Sequence, residues 1–356
     1  MQDVCVDGAV LFSHIHTPQS TSASPTPFTQ LLCKLPVLRR LSISGENSDD
    51  VLSLMLRWDT VTDLRIAPYI ESNIQGFIAR LVESCPSLSS LSLTIPGLPS
   101  SQQQPSYHES ITYSQWNFLR TLDISFLEGY WHEFNDQFSE AVAETFQRLR
   151  TPALEHLTLN VIQHGPSRRS GYVGPTMPFH DMIVRSNSPI THLALDTFFF
   201  SNTEALSRTC ESFPSLKSLK FSKDSASRWI NISDEVTDDV AALNAALLCL
   251  HPPANISSTL EKLNLSGSKI GHIDSIIAFA TAAPTLKDLY VEFGTMRKES
   301  VTTVMHSQHI REALAYLREV KGTRVVWKWP NDCIDYSFLD RPYAGMKNPQ
   351  PTYDSL

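Results

Sequence analysis

Hydrophobic and polar positions along this chain follow one pattern that returns nine times: apolar, two variable residues, apolar, one variable residue, apolar. Leu fills most apolar slots, as in Leu88-Leu91-Leu93, Leu154-Leu157-Leu159 and Leu260-Leu263-Leu265, with Val or Ile in others and Phe221 once at the last. The final two apolar residues of each motif have the strand period of two, so both enter a core while the residues around them face out. Such a unit cannot bury its apolar face alone and is stable only when stacked on its neighbours. The pattern therefore predicts an α/β solenoid, horseshoe-like, with a parallel sheet on the concave side and helices on the convex side.

The first positions of the motifs, at 38, 61, 88, 119, 154, 190, 216, 260 and 286, lie 23, 27, 31, 35, 36, 26, 44 and 26 residues apart. Units of about 26 to 29 residues accommodate a strand and an outer helix, so the longer ones carry insertions. Helical patterns fall between the strands, over 49–58, 71–85, 132–149, 202–213, 234–250, 273–283 and 299–320. Pro86, Pro152, Pro214 and Pro284 stop helices just before the next strand, because proline lacks the amide that would continue them. Two polar, Pro/Gly/Ser-rich segments, 96–113 and 164–178, are expected as mobile loops. Val325-Val326-Trp327-Lys328-Trp329 reads as a tenth strand. The domain reading is a flexible lead-in over 1–30, a solenoid of nine to ten units over 31–329, and a carboxy-terminal cap or tail over 330–356.

Composition narrows the setting. Of 356 residues, 42% are hydrophobic and 19% charged, enough apolar material to bury a core in every unit. A net charge of −8 argues against nucleic acid, whose phosphates call for a clustered positive surface. No apolar run approaches the roughly 18 residues of a membrane span, and the start of the chain lacks a signal-peptide pattern. An intracellular protein, cytoplasmic or nuclear, is the expectation. The six cysteines form no C-x-x-C pair, and Cys33, Cys85 and Cys210 read as small buried hydrophobes at helix ends.

The run Met182-Ile183-Val184-Arg185-Ser186-Asn187-Ser188-Pro189-Ile190-Thr191-His192-Leu193-Ala194-Leu195 resembles a passage in the leucine-rich-repeat regions of F-box-like proteins of mushroom-forming fungi. Cys85-Pro86-Ser87-Leu88 and Phe213-Pro214-Ser215-Leu216 are similar to the repeat that follows there. The resemblance spans roughly residues 31–295. It implies the substrate-recognition half of an SCF ubiquitin ligase, in which an amino-terminal F-box binds a Skp1-type adaptor. An F-box is a helical module of roughly 45 residues, whereas the residues before the first motif are few and rich in Ser, Thr and Pro, so adaptor binding by this chain is not expected.

Candidate chemistry lies on the concave face. His156 and His192 hold equivalent places on neighbouring strands and should project side by side, within about 5 Å. With Asp196, Lys220, Lys262, Asn264 and Tyr290 they form the expected contact surface for a protein partner, since larger and more varied side chains supply most interface energy. No phosphate loop, nucleophile elbow or paired-carboxylate motif is present, so the expectation is a non-enzymatic, monomeric interaction protein without cofactor or metal.

Overall fold

The computed structural model describes residues 3–7, 38–45, 57–68, 74–96, 114–128, 142–143, 145–163, 176–200, 202–222, 243–248, 250, 258–268, 270–293 and 307–328. They form a mixed α/β, solenoid-like fold built on one parallel sheet of 11 strands. The nine motifs supply β2 (Arg40–Gly45), β3 (Asp63–Pro68), β4 (Ser90–Pro96), β6 (Thr121–Glu128), β8 (His156–Gln163), β9 (His192–Asp196), β10 (Ser218–Ser222), β11 (Lys262–Ser268) and β12 (Asp288–Phe293). The expected tenth strand is β13 (Arg324–Lys328), parallel to β12. Strands pair in sequence order, so each unit lies on the one before it.

The register explains why the motif repeats. Leu41, Leu64, Leu91, Leu122, Leu157, Leu193, Leu219, Leu263 and Leu289 stand opposite one another from strand to strand. The third motif position forms a parallel rank two residues on. All first, second and third positions are at most 3% exposed. Hydroxyls fasten the turns ahead of the strands: Thr62 donates to the Arg39 carbonyl at 3.2 Å, Ser89 to Thr62 at 3.0 Å, and Thr285 to Leu260 at 2.9 Å.

Helices cover the face toward which these leucines point. In α1 (Ile74–Ser84) the buried Phe77, Ile78 and Leu81 recur at helical spacing. Next come α2 (His180–Ser186), α3 (Thr197–Phe200), α4 (Thr203–Cys210), α5 (Ile273–Ala282) and α6 (Gln308–Ala315), the last running into a π-helical turn at Tyr316–Val320. Residues 142–143, 145–147 and 243–248 are also helical. Pro86, Pro152, Pro214 and Pro284 all sit in turns. Burial of Cys85 and Cys210 agrees with their reading as packing groups, and burial pushes the Cys85 thiol up to about 12, far from thiolate chemistry.

The structure departs from the sequence reading in several places. Residues 3–7 are not a lead-in: β1 (Asp3–Asp7) pairs with β2 in parallel, Val4 opposite Leu41 and Val6 opposite Ile43. The outer wall is not wholly helical, because β5 (Ser114–Gln115) and β7 (Leu149–Arg150) form a two-stranded parallel sheet there, with Trp116 buried just after β5. Helices α2 and α3 were not among the expected helices; α2 ends at Asn187, whose φ of 52° is the left-handed conformation that closes many helices. Of the segments expected as mobile loops, 96–113 and 164–178, Pro96 is the last residue of β4 and Met177 is buried, while 97–113 and 164–175 lie outside the described residues, as do Cys33 and the expected cap or tail from 330 on. No described helix is long and apolar enough to cross a membrane.

Candidate functional site: the open face of the sheet

Opposite the helices the sheet presents a face without covering elements among the described residues. Strict parallel register lines its side chains up in ranks across the strands. One rank runs from Ser42 and Arg65 through Ser92, Asp123, Thr158 and Ala194 to Lys220, Asn264 and Tyr290. A second, one residue before the inner leucine, carries His156, His192, Ser218, Lys262, Asp288 and Arg324. Lys220 and Lys262 are exposed; His156, His192, Asn264 and Tyr290 are half-buried against their neighbours.

His156 and His192 meet as the spacing of the motifs requires. Their rings stack with centroids 4.0 Å apart and planes 5° from parallel. His192 Nδ1 also lies 2.9 Å from the Thr191 hydroxyl. Burial holds His192 below the usual histidine range, the neighbouring His156 and Lys262 add to the effect, Glu155 opposes it and Lys217 reinforces it. The neutral ring is therefore the favoured form near neutral pH. Two face-to-face imidazoles do not aim their nitrogens at a shared point, and among the described residues no three His, Cys, Asp or Glu side chains gather as a metal-holding group.

Asp196 is a correction to the sequence reading. It is 1% exposed, not a surface contact, and its Oδ1 accepts the backbone N–H of Phe198 at 2.9 Å. The chain turns directly from β9 into α3, so the carboxylate caps that turn instead of extending the rank. The cap delivers Phe198 and Phe199 to the core, their rings edge to face at 5.2 Å.

Asp123 is the residue whose weight the sequence did not reveal. It is half-buried near the middle of the face, with Ser92 Oγ and Asn160 Nδ2 each 3.5 Å from its carboxylate. Burial pushes its carboxyl above the usual Asp range, against the pull of Arg65, of the Ser92 hydrogen bond and of Lys220. Between Asp123 and Lys220 the rank falls to the smaller side chains of Thr158 and Ala194.

Charge is distributed unevenly. Arg40 pairs with Asp63 at 3.7 Å, Arg324 with Asp288 at 3.1 Å and Lys328 with Glu292 at 3.0 Å, which neutralises both ends of the face. On the rim Lys287 pairs with Glu261 at 3.0 Å and Arg120 with Glu155 at 3.7 Å. Lys217, Lys220 and Lys262, in contrast, have no carboxylate within 4.0 Å among the described residues.

No protein-family model matches this chain, and no curated protein matches it.

Proposed function

We propose that this chain is a non-enzymatic leucine-rich-repeat scaffold that binds another protein on the open face of its sheet, centred on His156, His192, Lys220, Lys262, Asn264 and Tyr290. The observation that carries the reading is the register. Core positions alternate with outward positions on strand after strand, so a stiff hydrogen-bonded platform holds one continuous rank of solvent-facing side chains. A platform already ordered loses little conformational freedom when a partner docks, which leaves more of the contact energy as affinity.

By resemblance the setting is substrate recognition in an SCF ubiquitin ligase, with these units as the receptor part. A stand-alone binding or inhibitor protein is the second reading. It is favoured by β1, since Asp3–Asp7 serves as a sheet strand and not as part of a helical adaptor-binding module.

A partner recovered by proximity labelling and then purified tests the surface. Tyr290→Ala and Lys262→Glu should each weaken binding by more than about 1 kcal/mol, the level that separates anchors from bystanders. If both are neutral while deletion of 164–175 abolishes binding, recognition lies off this face. A pull-down with a purified Skp1-type adaptor separates the two settings: capture supports the ligase, and its absence supports the stand-alone protein.

A further inference from the structure

We infer that the partner segment recognised by this face is acidic: an extended stretch with at least two carboxylates that docks on Lys217, Lys220 and Lys262 and lays an apolar residue against Tyr290. The inference rests on the reading of the open face as the binding surface. It adds the chemistry of the ligand.

Three observations converge. First, among the described residues Arg120, Lys287, Arg324 and Lys328 are each matched by an acid within 4.0 Å, whereas these three lysines, like Arg65 toward the other end of the face, are not. Second, the three are neighbours. Lys217, just before β10, and Lys220 on it flank Ser218 and Leu219, and Lys262 stands directly opposite Ser218 on β11. Three residues along a strand span about 10 Å and one strand spacing about 4.8 Å, so the charges share a patch that a short peptide covers. The small Ser218 lies between them and Ala194 adjoins Lys220 on β9, which lets a backbone approach. Third, the patch continues over the rim. Lys217 also lines a groove of about 500 Å³ whose wall includes Ser215, Glu261, Thr285, Lys287 and Lys321. In that groove Lys287 already pairs with Glu261, and the Lys321 ammonium donates to the Ala280 and Ala283 carbonyls at the end of α5.

The geometry also sets the spacing of the acids. Carboxylates at alternate positions of an extended chain project from the same face about 7 Å apart, close to the roughly 8 Å between Lys220 and Lys262, which lie two residues and one strand apart. Tyr290 sits two strands from Lys220 in the same rank, with Asn264 between them to hydrogen-bond the passing backbone. A chain-wide charge of −8 repels polyanions such as nucleic acid, while a short acidic peptide meets only the local field.

The test uses the full chain and a fluorescein-labelled Ser-Glu-Ser-Glu-Ser-Leu-Ser peptide, whose two Glu and Leu share one face when extended, with a Glu→Gln version as control, followed by anisotropy. The acidic probe should bind at least tenfold tighter than the amide probe, weaken as salt rises, and lose at least tenfold with Lys220→Glu/Lys262→Glu. Arg208→Gln, on the helical side, should leave binding unchanged. Equal binding of the two probes, or retention by the lysine variant with its circular dichroism intact, overturns the inference. So does a single-stranded oligonucleotide that binds as tightly as the peptide. Tyr290→p-benzoylphenylalanine keeps the two readings apart. A cross-link from this position to a neutral or basic partner segment preserves the binding face and overturns its acidic ligand, whereas a cross-link to an acidic segment supports both.

Discussion

Leu157 and Thr158 are adjacent in sequence, yet the fold predicts opposite fates for their removal. Leu157 is 1% exposed and stands between Leu122 on β6 and Leu193 on β9. Leu157→Ala deletes three carbons, a transfer loss of about 2.4 kcal/mol at roughly 0.8 kcal/mol per buried carbon. The backbone ladder holds both neighbouring strands in place, so the space cannot close fully, and the residual cavity raises the cost to about 3–4 kcal/mol. Thr158 lies on the open face opposite Ala194, and Thr158→Ala should cost at most about 0.5 kcal/mol. Urea unfolding followed by circular dichroism and by tryptophan fluorescence reads both, and a shared midpoint for the two probes certifies that the stacked units unfold together. A Leu157→Ala cost below about 1 kcal/mol, or equal costs at the two positions, would refute the register, because a slip of one residue exchanges the faces of the strand.

The parts of the fold that repeat were legible; the parts that occur once were not. Each motif states its own strand, since Leu88, Leu91 and Leu93 must all be apolar to reach the core from a turn and a strand of period two. Pro86 and Pro214 then mark the turns by removing an amide. Residues 3–7 carry Val4 and Val6 at strand spacing as well. Without the preceding apolar anchor, and with a Ser/Thr/Pro-rich stretch downstream, five residues did not read as part of the array. Strands β5 and β7 span two residues each, too short for any periodicity to register. Within the site, the stacking of His156 and His192 followed directly from their equivalent motif positions. Asp196 is the last residue of β9, where the chain turns into α3 and takes the carboxylate off the open face to the Phe198 amide. An acid directly before Thr197-Phe198-Phe199 was the available signal, a capping residue ahead of a short apolar helix. The motif position of Asp123 puts it on the open face, but its burial and the approach of Ser92 and Asn160, 31 and 37 residues away in sequence, are properties of the packed strands.

Two further outcomes follow from single residues. Asp196→Ala should destabilise the protein by about 1–3 kcal/mol, the cost of leaving the buried Phe198 amide unpaired, while Asp196→Asn, which keeps an acceptor, should cost less; if Asp196→Ala changes partner binding but leaves the urea midpoint alone, the residue belongs to the surface after all. Asp123 yields the opposite sign. Its carboxyl is held above the usual Asp range, so just above 3.8 the folded chain binds more protons than the unfolded one, and stability falls as pH rises through the folded value. Asp123→Asn removes that titration and keeps an oxygen for Ser92 or Asn160. The variant should therefore melt at a higher temperature than the parent at pH 7, with the gap closing as pH is lowered toward 4. A parent that outlasts the variant at pH 7 would mean that Arg65 and Lys220 outweigh burial.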